Sequence, residues 1–493
     1  MKAILSSLLS LGLAFGACAQ APKAQPALAA DVDIDAVTES LLDAPTKGST
    51  DVSEEQVIDM SSLEAPSIEG EQPVDTAGSD LLPDPDPDGH SVSNEEDINI
   101  SGEDRSEGRF ADFKKSSRIS LKHEMSYKFA SPKGVVNNRS SIRLEHSKLF
   151  AEKIFLRLDT KLNFHWSNDH RAEAKDQQLF RELVTREAYL QTSFGNSSVR
   201  VGYQILPWGV SEGGAITDEI SPRNASEFFF VSLEESRIGQ PMLTVDHFND
   251  IGQWTAFFVP RPAYNQYPDI RSEYDIPGAF TQPDPESSWD NPDDFEYGLR
   301  WKKTYGKSDL SLMAASLIDN DYLIRKQRFR MFGLTANIAK GNVLYRAEVA
   351  LKQPKAYLAS TGSGTSAVES DQLDASFGFD YSPGGRSLVY SAEFVWGRLL
   401  DWDSAILGRE QDEYGLVGSV SNRFFNDDLT LSWLTIYSRP YTSLQHKFLS
   451  SFLIDDNSTV YFEIFYPDER DSRSANWPYR DQKQFVIRYQ YQF

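Results

Sequence analysis

Four carboxylates in the N-terminal part of the chain are spaced like the ligands of a calcium-binding loop. They are Asp84, Asp86, Asp88 and Glu95, which match the pattern D-x-D-x-D-G-x5-E. Carboxylates at alternate positions converge on a hard cation, and the glycine of the pattern permits the sharp turn. Two prolines within the run restrict the backbone, and acidic linkers also produce such spacing by chance. Calcium is therefore the one candidate cofactor, with a plain acidic linker as the alternative.

No motif of the chain predicts an enzyme. The stretch His165-Trp166-Ser167-Asn168 is faintly similar to the His-x-Ser-Asn stretch of outer-membrane phospholipases, but Asp169 stands where that family has Gly. The 7 histidines show no spacing typical of metal ligands, and H-E-x-x-H does not occur. We therefore predict that the protein is not an enzyme.

A third group of charged residues lies between about residues 207 and 240. Its members are Asp218, Arg223, Glu234 and Arg237. Side chains of both signs on one long connection suit the lining of a polar passage, because they discriminate by charge and size. We expect this connection to fold inward and form a constriction. The alternative is an outward loop whose charges pair with their neighbours.

The elements that would position these residues are β-strands. From about residue 118, runs of period-2 alternation recur with turn residues between them, as at 156–165 and 199–205. We predict about eighteen strands, with about sixteen as the alternative count. They begin near residues 118, 139, 154, 183, 197, 241, 252, 295, 308, 327, 342, 371, 387, 411, 429, 445, 458 and 484.

The predicted connections differ in length in a regular way. Every second connection is a short turn, such as Gly306-Lys307, whereas those between are longer and two extend over about 207–240 and 260–294. This asymmetry is typical of outer-membrane barrels, and an even strand number puts both termini at the short-turn, periplasmic end. A soluble β-sandwich gives no reason for such a regular alternation of short and long connections. The predicted fold class is therefore all-β, a transmembrane antiparallel barrel over residues 111–493.

The last nine residues support the same fold. One side of this extended stretch carries only apolar side chains, namely Phe485, Ile487, Tyr489, Tyr491 and Phe493. The stretch resembles the closing strand of the outer-membrane β-barrel family, whose members commonly end in Phe. The resemblance implies that Tyr489, Tyr491 and Phe493 form a signal read by the barrel-assembly machinery. An edge strand of a soluble domain would instead leave this aromatic row open to aggregation.

A second resemblance lies at the start of the 207–240 connection. Gly202-x-Gln204 and Trp208-Gly209, followed by an Asp and a Pro-Arg-Asn turn, are similar to a large family of uncharacterised proteobacterial outer-membrane barrels. Asn224 stands where that pattern has Asp, and the motif covers only about 45 residues. The resemblance implies export as an alternative function, since related barrels are often thought to serve systems that export lipids or other hydrophobic compounds.

Charged residues on the polar side of the strands are expected to face the lumen. In a barrel of this size the lumen is wide enough for water. The predicted lining residues are Arg157, Lys161, Arg200, Arg300, Arg346 and Glu348. Their mixed signs favour a cross-strand lattice of salt bridges over a sharply ion-selective ladder.

The N-terminus has the features of a signal peptide. Lys2, the apolar run 3–15 and the small residues around Cys18 predict cleavage after residue 19 and export through the Sec pathway to the outer membrane. Lipidation of Cys18, which is the single cysteine, is the alternative.

Residues 20–110 have a composition unlike the rest of the chain. Residues 31–110 contain 23 Asp or Glu and 3 Lys or Arg, so most of the net charge of −24 lies here. Few apolar residues predict a disordered periplasmic arm, which a periplasmic partner could bind. The chain offers no basic face for nucleic acid.

These features predict a porin-like channel in the outer membrane, in contact with its lipid. Small solutes would pass through a mixed-charge lumen narrowed by an inward loop. Export of lipids or hydrophobic compounds is one alternative. A closed structural or adhesive barrel is the other.

Overall fold

A computed structural model describes residue 113 and residues 115–493, apart from 151–152, 212–213, 215, 228–232, 270, 276–291, 322–325, 363, 385–386 and 475. The predicted signal peptide, the acidic arm and the candidate calcium ligands Asp84, Asp86, Asp88 and Glu95 lie outside the described residues.

Antiparallel strands form one closed sheet in the described part of the chain. Each strand pairs with its sequence neighbours, and β1 also pairs with β18, which closes an 18-stranded barrel. The predicted all-β barrel is confirmed. The strands are β1 Ser117–Lys128, β2 Gly134–Phe150, β3 Ile154–Trp166, β4 Leu179–Phe194, β5 Ser197–Gln204, β6 Gln240–Asn249, β7 Gly252–Val259, β8 Glu296–Tyr305, β9 Ser308–Ile318, β10 Arg328–Lys340, β11 Val343–Thr361, β12 Gly364–Tyr381, β13 Val389–Leu399, β14 Asp412–Phe424, β15 Leu429–Arg439, β16 Ser443–Asp455, β17 Ser458–Glu469 and β18 Gln484–Gln492.

Helical structure is confined to short connections. The described helices are α1 Ala172–Asp176, α2 Leu233–Ser236 and two 3-10 helices, Pro292–Asp294 and Trp477–Tyr479. No helix in the described residues is long and apolar enough to cross a membrane.

Side chains alternate between the lumen and the outer surface. In β10, Phe329 and Met331 are buried inside, while Phe332 and Leu334, which follow them with the opposite parity, are exposed outside. Large apolar side chains are exposed in the same way on strands all around the ring. An apolar outer surface on a closed barrel is what a bilayer requires, because closure leaves no unpaired strand edge in lipid. The protein is an outer-membrane β-barrel.

The two ends of the barrel differ. At the end that holds the start of β1 and the finish of β18, here the turn end, neighbouring strands are joined by short turns. One of them, Gly306-Lys307, has Gly306 at a φ of 62°, a left-handed conformation that glycine adopts without strain. The connections after β5 and β7 are the long ones, and both start from the opposite, loop end.

One connection at the loop end is shorter than the sequence suggests. β12 begins at Gly364 rather than near residue 371, and a tight turn joins it to β11. A register shift in β11 and a run of consecutive buried residues, 355–359, hide the period-2 pattern here. The run is buried because Ile406, from the β13–β14 connection, packs against Tyr357.

The closing strand pairs with β1 as predicted. The Phe493 N–H donates to the Ile119 carbonyl at 2.9 Å, and Phe485 lies opposite Tyr127 in the register. On the lumen side, the Arg488 guanidinium bridges Glu124 of β1 and Glu463 of β17. The seam is therefore held by backbone pairing, by outward rings and by an inward ion pair network.

Candidate functional site

The connection between β5 and β6, residues 205–239, contacts opposite walls of the barrel. We call it the lumen loop. Its described residues bind β11 and β13 on one side and β1, β2 and β3 on the other. Since β2 and β11 are half a ring apart in the closed sheet, these contacts cross the interior. The described residues of the loop therefore reach both of these walls.

The first anchor is a buried ion pair cluster on β11. The Glu219 carboxylate lies 2.6 Å from the Lys352 Nζ and 3.4 Å from the Lys355 Nζ. Each lysine has a second carboxylate, Asp374 at 2.8 Å and Asp319 at 3.2 Å. Burial raises the pKa of Glu219, but the two ammonium groups outweigh this effect and lower it to about 2. The anchor therefore stays charged at neutral pH.

A bulge in β11 makes this anchor possible. The register with β12 shifts between Lys352 and Lys355, so that both side chains point inward although they are three residues apart. An unbroken strand would send them to opposite faces. The bulge thus re-aims a side chain at the lumen loop.

A second contact on β11 fixes the first part of the loop. The Glu348 carboxylate accepts hydrogen bonds from the N–H groups of Val210 at 2.7 Å, Ser211 at 2.8 Å and Thr217 at 2.6 Å. Several backbone donors on one carboxylate satisfy loop groups that would otherwise be buried without partners. Glu348, predicted as a lumen charge, thus holds the loop.

Three of the four charges predicted for the constriction form one cluster. The Asp218 Oδ2 accepts from the Arg223 Nη2 and from the Arg237 Nη2, each at 2.8 Å. Burial and the charge of Arg237 lower the pKa of Arg223, although Asp218 opposes this effect. Glu234 lies in α2, but its side chain is outside the described part of the structure.

The opposite wall holds the far part of the loop. The Glu227 carboxylate pairs with Arg139 of β2, whose Nη2 lies 2.9 Å from the Glu227 Oε2. Burial raises the pKa of Glu227, but Arg139 and His170 outweigh it and keep that pKa well below its usual range. Glu235 pairs with Lys122 at 3.0 Å and with Lys161 at 2.8 Å.

An apolar cluster fills the space between the loop and one wall. Loop residues Leu206, Trp208, Ile216 and Ile220 pack against inward residues of β6, β7, β9, β10, β11 and β13. Gly333 of β10 permits close approach there, because a Cβ at that position would lie 2.6 Å from the Thr217 Cγ2. The wall residues are Met242, Phe257, Val259, Met313, Ala315, Leu317, Phe329, Met331, Ala350 and Val395.

The long connection after β7 also enters the barrel. The Tyr274 hydroxyl donates to Asn137 of β2 at 2.9 Å and to Gln484 of β18 at 3.3 Å. Near the loop end, Asn265 donates to Asp321 of the β9–β10 connection at 2.7 Å and accepts from the Arg223 N–H at 2.7 Å. The two long connections therefore bind each other as well as the wall.

Most of the predicted wall charges are paired. Arg157 lies 3.3 Å from Glu145, Arg200 lies 3.1 Å from Asp246, and Arg346 lies 2.9 Å from Asp380. Lys161 binds the lumen loop, as described above. Arg300 has neither a hydrogen bond nor an ion pair among the described residues.

The sequence did not single out several of the anchoring residues. Glu219, Glu227, Lys352 and Lys355 went unrecognised, and all four make long-range contacts. Lys352 and Lys355 flank Pro354, a residue that marks bulges and edges in strands. Pro354 is thus a sequence signal that could have indicated an irregularity in the strand at this position.

Metal binding finds no support in the described residues. They contain no group of three or more His, Cys, Asp or Glu side chains arranged to hold an ion. The histidines near the lumen have protein partners instead, for example His165 with Asp169 at 3.1 Å.

The closed ring of strands, its apolar exterior and its charged interior with inward loops define a porin-like outer-membrane barrel at the level of fold. The sequence matches the family described as "Protein of unknown function (DUF1302)" over residues 156–428, which is more than half of the chain. The protein belongs to this family.

Solved structures similar to the chain are also outer-membrane barrels in outline. Acinetobacter baumannii OccAB1 is 9% identical, with a TM-score of 0.48 over 77% of this chain and 96% of that one. Pseudomonas aeruginosa OccK5 is 13% identical, with a TM-score of 0.45 over 77% and 98%. Salmonella typhi OmpF, in a complex with daunomycin, is 10% identical, with a TM-score of 0.42 over 76% and 97%. No curated protein sequence matches the chain.

Proposed function

We propose that the protein is an outer-membrane channel for small solutes, in which the lumen loop forms the constriction. The observation that carries the proposal is the anchoring of one loop to opposite walls. Glu219 binds β11, while Glu227 binds β2. A loop fixed at both sides narrows the lumen of a water-filled barrel, and so limits solute size.

The cluster of Asp218, Arg223 and Arg237 gives this constriction its charge. One carboxylate and two guanidinium groups leave a net positive charge within this cluster. The wall charges around it are mostly paired and contribute little net field. Solutes are therefore sorted mainly by size and polarity, with a weak preference for anions.

Three further roles belong to this proposal. The chain acts as a passage and not as an enzyme. Tyr489, Tyr491 and Phe493 serve as the signal for the barrel-assembly machinery. The acidic segment 20–110 offers a binding site for a periplasmic partner, with no cofactor other than the calcium considered for Asp84–Glu95.

Bilayer conductance tests the proposal. The purified, refolded chain should conduct in planar bilayers, and deletion of residues 207–240 should raise the single-channel conductance. A chain that conducts equally with and without these residues has its constriction elsewhere. If neither the full chain nor the deletion variant conducts, the barrel is closed and the proposal fails.

The apolar cluster inside the barrel favours one second function, export of lipids or hydrophobic compounds. Trp208 and Ile220 cover a wall of methionine and phenylalanine side chains that a purely polar channel does not need. Displacement of the loop would present this wall to an apolar molecule. Saturable binding of an apolar fluorescent probe, increased by loop deletion in a chain that conducts no ions, would favour export over the channel.

A further inference from the structure

Arg300 on β8 differs from the other predicted wall arginines in its contacts. Among the residues that the structure describes, it makes no hydrogen bond or ion pair. Its Nε atom is buried without an acceptor. Leaving a buried charged donor unsatisfied is costly, so an unpaired guanidinium in a lumen is suited to a ligand that supplies the acceptor.

The nearby carboxylate of Asp246 does not supply the missing acceptor. Thr255 lies opposite both Asp246 and Arg300 in the strand register. The Asp246 oxygens already accept from Arg200 at 3.1 Å, from Thr255 at 2.7 Å and from Gln253 at 3.4 Å. Two guanidinium groups against one carboxylate leave a surplus positive charge on this part of the wall.

A second unpartnered donor lies beside Arg300. The Arg300 Cζ is 5.9 Å from the centre of the Trp208 ring. Trp208 is 2% exposed, and its Nε1 is buried with no acceptor in the described residues. The ring packs edge-on against Phe257 at 5.1 Å, and Met313 is opposite Arg300 in the register.

We infer that Arg300 and Trp208 form a binding site for a small carboxylate with an apolar body, such as an aromatic carboxylate. The guanidinium fork matches the two oxygens of a carboxylate. The apolar body lies at the edge of the cluster that contains Trp208, Phe257 and Met313, whose side chains are themselves buried. The inference deepens the proposed channel function, on which it rests, by naming the class of solute that its lumen retains.

Calorimetry with benzoate tests the site on the full chain in detergent. The wild type should bind benzoate, and benzyl alcohol, which has the same ring without the charge, should bind at least tenfold more weakly. Arg300→Gln should lower benzoate affinity at least tenfold. Arg300→Lys keeps the charge but loses the forked geometry of the guanidinium. Its affinity for benzoate should lie between those of the wild type and Arg300→Gln.

A matched control removes an arginine from the outer surface. Arg398, on β13, pairs with Asp412 at 3.3 Å and is 42% exposed, so Arg398→Gln should bind benzoate like the wild type. Trp208→Phe keeps the ring but removes the N–H donor, and should weaken binding severalfold. It gives a second test if both Arg300 variants fail to fold, as judged by heat-modifiable migration.

The outcomes separate this site from the channel itself. Equal benzoate affinity in wild type and Arg300→Gln would overturn the inference, as would equal affinity for benzyl alcohol. If such a protein still conducts in bilayers, the proposed function survives. Benzoate binding that depends on Arg300 in a barrel that never conducts would support the site and overturn the channel.

Discussion

Substitution of Glu219 by Gln should release one side of the lumen loop. The change keeps the side-chain size but removes the charge that binds Lys352 and Lys355. Removing one partner of a buried ion pair typically costs about 3–5 kcal/mol. Because each lysine keeps a second carboxylate, we take the lower end, about 3 kcal/mol, for the stability of the docked loop.

A cost of this size has a measurable effect on how often the loop opens. At about 1.4 kcal/mol for each factor of ten, the undocked fraction should rise about 100-fold. Trypsin reports this fraction, because Arg223 is buried in the docked loop and cleavage follows the population of the open form. Cleavage after Arg223, mapped by mass spectrometry on the folded protein in detergent, should accelerate by about that factor.

The control uses an exposed ion pair. Asp176 and Arg271 lie 2.6 Å apart and are more than half exposed, so Asp176→Asn should change cleavage after Arg223 little, as surface pairs contribute about 0–1 kcal/mol. If Glu219→Gln cleaves no faster than this control, the anchor at β11 does not hold the loop and the reasoning is refuted.

Three other predictions follow from the anchors and the seam. Arg488→Gln leaves Glu124 and Glu463 with one cation each, so it should destabilise the seam by about 3 kcal/mol. The temperature at which the folded band shifts in heat-modifiable migration should fall, whereas Arg480→Gln, at an exposed position, should leave it unchanged. Equal transition temperatures for the two variants would contradict this prediction. Phe493→Ala, or loss of the last residues, should impair insertion far more than the conductance of molecules that do insert, and normal insertion of the truncated chain would argue against the assembly signal. Docking lowers the pKa of Glu219 to about 2 from an ordinary value of 4.5, so its contribution to docking is complete above about pH 4.5 and is lost as the pH falls toward 2. Conductance should therefore stay constant from pH 7 to 5. A change of conductance within that window would mean that another group controls the loop.

The strands were predictable because two independent signals mark them. Alternation in β3 predicts that the side chains of Arg157 and Lys161 point to the lumen, and turns such as Gly306-Lys307 mark where strands end. Both signals are local, so a single sequence contains them. They failed together at the start of β12, where Ile406 packs against Tyr357 and a run of buried residues in β11 hides the alternation.

The anchors of the lumen loop were not predictable for the opposite reason. Glu219 and Lys352 are far apart in sequence and meet only across the interior of a closed barrel. The acidic residues of the loop were visible in the sequence, but nothing local tells which cation each one reaches. The bulge that turns Lys355 inward depends on pairing with β12, which is also a property of the sheet.

Single-channel conductance of the purified, refolded full chain tests the central claim most directly. The account predicts a measurable conductance for the wild type and a larger one after deletion of residues 207–240. A wild type and a loop-deleted chain that both insert normally and conduct no current would contradict it.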